Sequence, residues 1–212
     1  MRIAILGAGS VGGTLGRRFV EAGNEVRFGV PSPAEQKYQD LVQSIGSKAS
    51  IMTVVHAARD AEMVVLATPW DATRAAIDEA GNLEGKIVVD CTNPLKFDSS
   101  GLSLSLGYST SGAEQVADWA DGAHVVKAFN TTGFGNMGNP HYNGARSVMF
   151  VCSDHEQSRN TVIALSDSIG FETLNAGGLA ISRLLEPWAM LWIHLSFTTS
   201  LQRDFAFGLL RR

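Results

Sequence analysis

Apolar residues along the chain fall alternately into short continuous runs and into longer stretches at helical spacing. Ile3–Leu6 is such a run, the mark of a strand covered on both faces. Val11–Ala22 follows with Leu15, Phe19 and Ala22 on one side and Arg17, Arg18 and Glu21 on the other, and Gly23-Asn24 supplies the stop. The same alternation predicts a strand at Glu25–Gly29, a helix at Pro33–Ile45, a short strand within 48–54 and a helical stretch at 53–59. Further strands are expected at Met63–Ala67, Lys86–Asp90, Val125–Phe129, Ser147–Cys152 and Phe171–Leu174. Helices are expected at 71–80, 111–120 and 153–168, the last two opened by the capping boxes Ser111…Glu114 and Ser153…Glu156. Residues 97–110, rich in Ser and Gly, read as a long loop, and 179–207 as mostly helical.

Strand–helix alternation of this kind predicts an α/β fold of Rossmann type, a doubly wound, mostly parallel sheet, over residues 1–175. Residues 176–212 read as a small helical C-terminal cap or dimerisation segment. There Leu184, Trp188, Leu191 and Leu195 form one apolar stripe and Leu185, Ala189 and Trp192 a second. A helix apolar on two sides is covered on two sides. One cover is core; the other is core again, a partner copy in a homodimer, or an aromatic substrate.

Composition narrows the class. A chain of 212 residues, 45% hydrophobic and 18% charged, fits one globular domain. Its 17 basic and 21 acidic residues leave a net charge of −4, no basis for gripping nucleic acid. Cys91 and Cys152 match no metal spacing and no disulfide framework, which suits a cytoplasmic setting. Gly7 and Gly9 interrupt the apolar start too early for a signal peptide. No stretch approaches the ~20 apolar residues of a membrane span. The unusual count is 22 glycines.

Their placement carries chemistry. Gly7-Ala8-Gly9-Ser10-Val11-Gly12 is a GxGxxG string between the first predicted strand and the first predicted helix, the context a dinucleotide fingerprint requires. Gly7 serves the tight turn, Gly9 the approach of a pyrophosphate, and Gly12 and Gly16 close helix–strand packing. Free amides at the start of the helix would hold the phosphates. NAD-binding domains place an acid at the end of the second strand, but here Arg27, Phe28, Gly29, Val30, Pro31 and Ser32 offer none. That favours NADP while leaving NAD open. Val30 and Ser32 would border the 2′-phosphate, with Lys37 or Arg27 in reach, although Arg27 equally suits a solvated strand position. Three other strand ends complete the cleft: Ala67-Thr68-Pro69-Trp70, Thr92-Asn93-Pro94 and Ala128-Phe129-Asn130. Trp70 would either cap a ring of the cofactor or cover the sheet edge. Asn130, the one catalytic candidate, would bond a carboxamide or a substrate carbonyl, or simply form a turn. No metal cluster or nucleophile is evident.

These segments resemble the NADPH-dependent reductases of the deazaflavin coenzyme F420. The resemblance rests on MRIAILGAGSVGGTLGRRFVEAGNEV, VVLATPW, VVDCTNP, HVVKAFNTTG and the stretch VCSDHEQSRNTVIALSDSIGFETLNAGGLAISRLLEP. It implies a small C-terminal part closing over the nicotinamide, a homodimer, and hydride transfer between NADP and a flavin-like ring, F420 or a flavin. Two positions depart from the pattern. Val30-Pro31 stand where the family has Ser or Thr followed by Arg, and Asn130 stands where deazaflavin reductases carry histidine.

The leading expectation is an NADP(H)-dependent oxidoreductase with a flat, flavin-like or quinone-like acceptor, bound between the Asn130 loop and the C-terminal helix. Hydride transfer between stacked rings needs little acid–base help. One alternative is a dinucleotide-binding sensor without turnover. Another is an imine or carbonyl reductase, whose proton donor would come from His141, Tyr142, Tyr108 or Lys127.

Overall fold

The computed structural model describes residues 1–99 and 101–212. β1 (Arg2–Leu6) leads through α1 (Ser10–Glu21), β2 (Glu25–Gly29), α2 (Gln36–Ile45), β3 (Ala49–Met52) and α3 (Val54–Arg59) to β4 (Met63–Leu66), α4 (Trp70–Ala80) and β5 (Ile87–Asp90). A hairpin of β6 (Leu95–Asp98) and β7 (Gly101–Leu104) precedes α5 (Gly112–Trp119) and β8 (His124–Lys127). Then come α6 (Phe134–Gly138), a small ribbon of β9 (His141–Tyr142) and β10 (Ala145–Arg146), β11 (Val148–Cys152), α7 (Glu156–Ser168), β12 (Glu172–Gly177) and α8 (Ser182–Thr198).

The main sheet has the order β12-β11-β8-β5-β4-β1-β2-β3. From β3 to β8 all neighbours are parallel, and the direction of winding reverses between β1 and β4, where doubly wound sheets bind ligands. β11 runs antiparallel to β8, meeting it at Cys152↔Lys127, and β12 pairs with β11 in parallel. Alternate residues of β1 feed two cores. Ile3 and Ile5 pack with Leu15, Phe19 and Phe28, while Ala4 and Leu6 pack with Val54, Ala57 and Ile77. Cys91 and Cys152 are buried free thiols; burial holds the Cys91 thiol up and pushes Cys152 up to about 12. Among the described residues no helix is long and apolar enough to cross a membrane.

Four expectations need correction. Residues 97–110 are not one loop: β6 and β7 pair in register, Leu95 with Leu104 and Phe97 with Leu102. The alternation Leu102-Ser103-Leu104 is a period of two, as a strand requires; Ser100, in the connection, lies outside the described residues. α2 starts at Gln36 rather than Pro33, because residues 32–35 form a turn closed by Glu35 N donating to Ser32 O at 3.1 Å. α7 starts at Glu156 with His155 as its cap; the Ser153 hydroxyl instead donates to Val125 O at 2.6 Å. The C-terminal helix ends at Thr198. Beyond it the chain folds back, and Val148 N donates to Phe207 O at 2.9 Å.

α8 divides its two stripes as their geometry allows. Leu185, Ala189 and Trp192 are buried, whereas Leu184 is 66% and Leu191 49% exposed.

Candidate active site

The glycine turn after β1 is closed on three sides and open on one. Gly7 has φ +102, and its N–H donates to Gly29 O at 3.0 Å. A Cβ there would lie 2.6 Å from Ala67 O; one on Gly12 would lie 2.1 Å from Gly7 O, and one on Gly16 2.3 Å from the Phe28 ring. A Cβ on Gly9 would meet nothing within 4 Å. Gly9 caps α1 without a side-chain hydrogen bond, so the amides of Ser10, Val11 and Gly12 at the first turn have no intrahelical partner. They are the positive end of the helix. A cleft of about 380 Å³ opens beside them, walled by Gly7, Ala8, Gly9, Val30, Ala67 and Pro69 among others.

On the β2 side of the cleft the charges are already engaged. Val30 is 1% exposed and its N–H donates to Met52 O, so it offers an apolar wall only. Ser32 is exposed. Lys37 bonds Glu35 at 2.7 Å and lies 4.6 Å above the Tyr38 ring; the Glu35 bond raises its pKa. Arg27, half-buried on β2, pairs with Glu25 at 2.8 Å. Tyr38 also lines the cleft, a contribution that sequence reasoning did not single out.

On the other side, Thr68 Oγ1 is shared with Thr73 Oγ1 at 2.9 Å. The Trp70 indole packs on Trp119, with ring centres 5.2 Å apart, and against Gly112. It packs against the second core. Ala128 is fully buried in the first core. The chain then turns sharply: Phe129, also buried, has φ +60, a strained conformation for a bulky residue. Beyond that turn Asn130 bonds Asn93 in both directions, side chain to side chain and main chain to side chain, each at 3.0 Å. Pro94 O accepts from Ser105 N at 2.7 Å and from Ser105 Oγ at 3.0 Å, anchoring the hairpin to the β5 end.

Beneath this pair lies a buried ionic network that sequence reasoning missed. Lys127 Nζ donates to Asp90 Oδ2 at 2.8 Å, Thr92 O at 2.7 Å and Glu186 Oε1 at 2.8 Å. Burial alone would lower its pKa, but the carboxylates of Asp90 and Glu186 outweigh that and hold it raised. Asp90 Oδ1 accepts from the N–H and hydroxyl of Thr92, and Glu186 caps α5 by accepting from Gly112 N and Ala113 N. The surplus negative charge therefore faces a helix N-terminus. The signal in the sequence was a lysine inside the apolar run HVVKAF, since a buried charge calls for a partner.

This network bears on proton donors. All three Lys127 protons are spent, so it is a strut rather than an acid. Tyr108 is fully exposed. The Tyr142 hydroxyl donates to Asn136 Oδ1, and His141 packs on Gly170, so both belong to the α6 side rather than to the Asn93–Asn130 pair. Outside the cleft, a groove of about 720 Å³ separates Leu102–Tyr108 from Leu184, Pro187 and Met190 of α8.

The family model described as NADP oxidoreductase, coenzyme F420-dependent, matches residues 2–94. The F420-dependent NADP reductase of Methanothermobacter marburgensis is 27% identical over 211 residues, 92% of each chain. The chain is a relative of the F420-dependent NADP oxidoreductases. A crystal structure of a candidate F420-dependent NADP reductase from Arthrobacter sp. FB24 is similar throughout, with a TM-score of 0.90 and 29% identity over 100% of both chains. The rat metalloreductase STEAP3 is 28% identical over 185 residues, 87% of this chain, which spans only 36% of that relative's length. With relatives named as NADP reductases, the chain takes its place among the NADP-linked oxidoreductases.

Proposed function

We propose that the chain binds NADP(H) across the β1–β4 crevice and moves hydride between the nicotinamide and a flat, flavin-like or quinone-like acceptor. The observation that carries this reading is Gly9. Its neighbours Gly7 and Gly12 are glycines because a Cβ would strike backbone, yet Gly9 has free space over the uncapped start of α1. A glycine with no internal need for its missing side chain is explained by a pyrophosphate lying against it. Gly7, Ala8, Gly9, Ser10, Val11 and Gly12 would hold the phosphates. Val30, Ser32 and Lys37 would border the adenosine end, and Ala67, Thr68, Pro69, Asn93, Pro94 and Asn130 the nicotinamide end. Trp70 and Ala128 would act from behind the wall, through packing.

The nicotinamide supplies the hydride; the protein's residues bind, orient and exclude water. Of the candidate proton donors, Lys127 is fully bonded, Tyr108 is fully exposed and Tyr142 bonds Asn136, which favours ring-to-ring hydride transfer over imine or carbonyl reduction. Relatives named for F420 and for metal reduction both support a flat or one-electron-coupled acceptor, with deazaflavin, FMN and quinones as the compounds to try. The exposed Leu184–Leu191 stripe supports a homodimer, with residues 176–212 as the segment that both closes the site and pairs. Calorimetry with NADPH, then NADPH oxidation against deazaflavin, FMN, quinones and ferric chelates, tests the reading. Binding without turnover on any acceptor would favour the sensor alternative, and Gly9→Val with unchanged NADPH affinity would remove the phosphate cradle.

A further inference from the structure

Asn130 presents one hydrogen-bond acceptor that no described residue uses. Its amide nitrogen donates to Asn93 Oδ1 at 3.0 Å and to Leu185 O at 3.3 Å, and its main-chain carbonyl accepts from Asn93 Nδ2 at 3.0 Å. Exchanging the amide nitrogen and oxygen would set oxygen against oxygen twice. Turning Asn93 to compensate would break the third bond, so the neighbours determine the orientation of both amides. Asn130 Oδ1 is then a carbonyl oxygen in a residue only 4% exposed, itself almost without accessible surface, and it receives no hydrogen bond; a ligand reaches it only by parting the wall that covers it. Buried polar atoms left this way are uncommon and call for an explanation. The strained turn at Phe129 and the strut from Lys127 to Thr92 O, next to Asn93, hold it in place.

The chemistry of that atom is one-sided. It accepts and cannot donate, and the nitrogen of the same amide is already spent. A substrate carbonyl or a quinone oxygen is therefore no partner for it, whereas a primary carboxamide N–H is. Its position agrees. The pair stands at the carboxyl ends of β5 and β8, on the opposite side of the winding reversal from β2, so a dinucleotide whose pyrophosphate lies over Gly9 sends its nicotinamide half this way.

Resting on the dinucleotide reading above, we propose that Asn130 Oδ1 accepts a carboxamide N–H of the nicotinamide. Asn130 thereby fixes the ring about its glycosidic bond and decides which face is presented to the acceptor.

The test compares NADP+ with its 3-acetylpyridine analogue, in which a methyl group replaces the amide NH2, by calorimetry. Wild-type protein is expected to bind the analogue about fivefold to tenfold more weakly, the value of one hydrogen bond. Asn130→Leu is expected to lower NADP+ affinity to the level of the analogue while leaving the analogue's own affinity unchanged. Equal wild-type affinities for the two compounds overturn the proposal without any variant, which keeps it decidable if Asn130→Leu does not fold. A folded Asn130→Leu protein that keeps the wild-type preference overturns it as well. If NADP+ itself does not bind, the cofactor reading falls and carries this one with it, a failure distinguishable from the others by that missing binding.

Discussion

Lys127 Nζ and Glu186 Oε1 lie 2.8 Å apart, neither exposed by more than 1%, and join the sixth parallel strand to the C-terminal helix. Replacing a buried ion pair whole is often tolerated, whereas removing one partner leaves an uncompensated charge. Glu186→Leu should therefore lower unfolding stability by about 3–5 kcal/mol. It also strips the cap from α5. Lys127→Met should cost a similar amount by leaving Asp90 and Glu186 facing each other, and the pair of changes together should cost less than their sum. Urea unfolding of the three variants checks this, and strict additivity would deny the coupling.

Two glycines of one motif should respond in opposite ways. Gly12→Ala places a Cβ 2.1 Å from Gly7 O and must shift backbone, so stability falls by about 1–3 kcal/mol. The Cβ of Gly9→Val meets no protein atom within 4 Å, and the residue has an ordinary φ of −80. Its melting temperature should stay within a few degrees of wild type while NADPH affinity drops at least tenfold.

NADPH should bind more tightly than NADH by about 1–2 kcal/mol, the worth of a single charge-assisted contact. The contact available is Lys37, which must leave Glu35 to make it. Glu35→Gln should accordingly raise NADPH affinity and leave NADH untouched, while Lys37→Met should bring the two cofactors level. Equal affinities in the wild type would show that Val30-Pro31 has removed the discrimination.

The pH dependence has two limbs. Lys127 has a folded pKa above its ordinary 10.5, so its contribution is complete below about pH 10.5 and is lost as pH rises through the folded value. Glu114 is held below 4.5 chiefly by the Arg183 guanidinium between α5 and α8, so its contribution is present above about pH 4.5 and is lost as pH falls through the folded value. Thermal melts should show a plateau that begins above about pH 4.5 and ends near pH 9, where the unfolded chain starts to ionise the thiols that burial keeps neutral at Cys91 and Cys152. Arg183→Gln should flatten the acid limb and leave the alkaline limb alone.

A dimer through α8 is tested by Leu184→Glu with Leu191→Glu. Both positions are exposed, so the fold should survive, and light scattering should report a monomer where the wild type gives a dimer. A wild-type monomer at micromolar concentration would remove the pairing.

What the sequence revealed was whatever depends on neighbours along the chain. β2 falls where its apolar run ends, and the glycine turn was recognisable because strand, GxGxxG and helix follow one another within a few residues. The β6–β7 hairpin escaped because serines hid its alternation of leucines. The ionic network escaped for a different reason: Lys127 lies 37 residues from Asp90 and 59 from Glu186, and no local pattern announces partners at such distances. Asn130 was visible as a candidate, but only the fold shows that its nitrogen is spent and its oxygen is not.

The segment after α8 has a consequence for how molecules enter and leave. Phe205 O accepts from Asn136 Nδ2 at 2.7 Å and from Trp192 Nε1 at 3.0 Å, and the Phe205 ring stacks on Trp192. With Glu186 buried near one end and this strap tied at the other, α8 is fixed at two points and cannot swing as a lid about either. Traffic to the proposed nicotinamide end would then pass on the β6–β7 side, where Ser105 bonds Pro94 O at the β5 end. The gatekeeping step of the catalytic cycle would lie in a few serine and glycine residues, and the long apolar helix would serve as the doorpost.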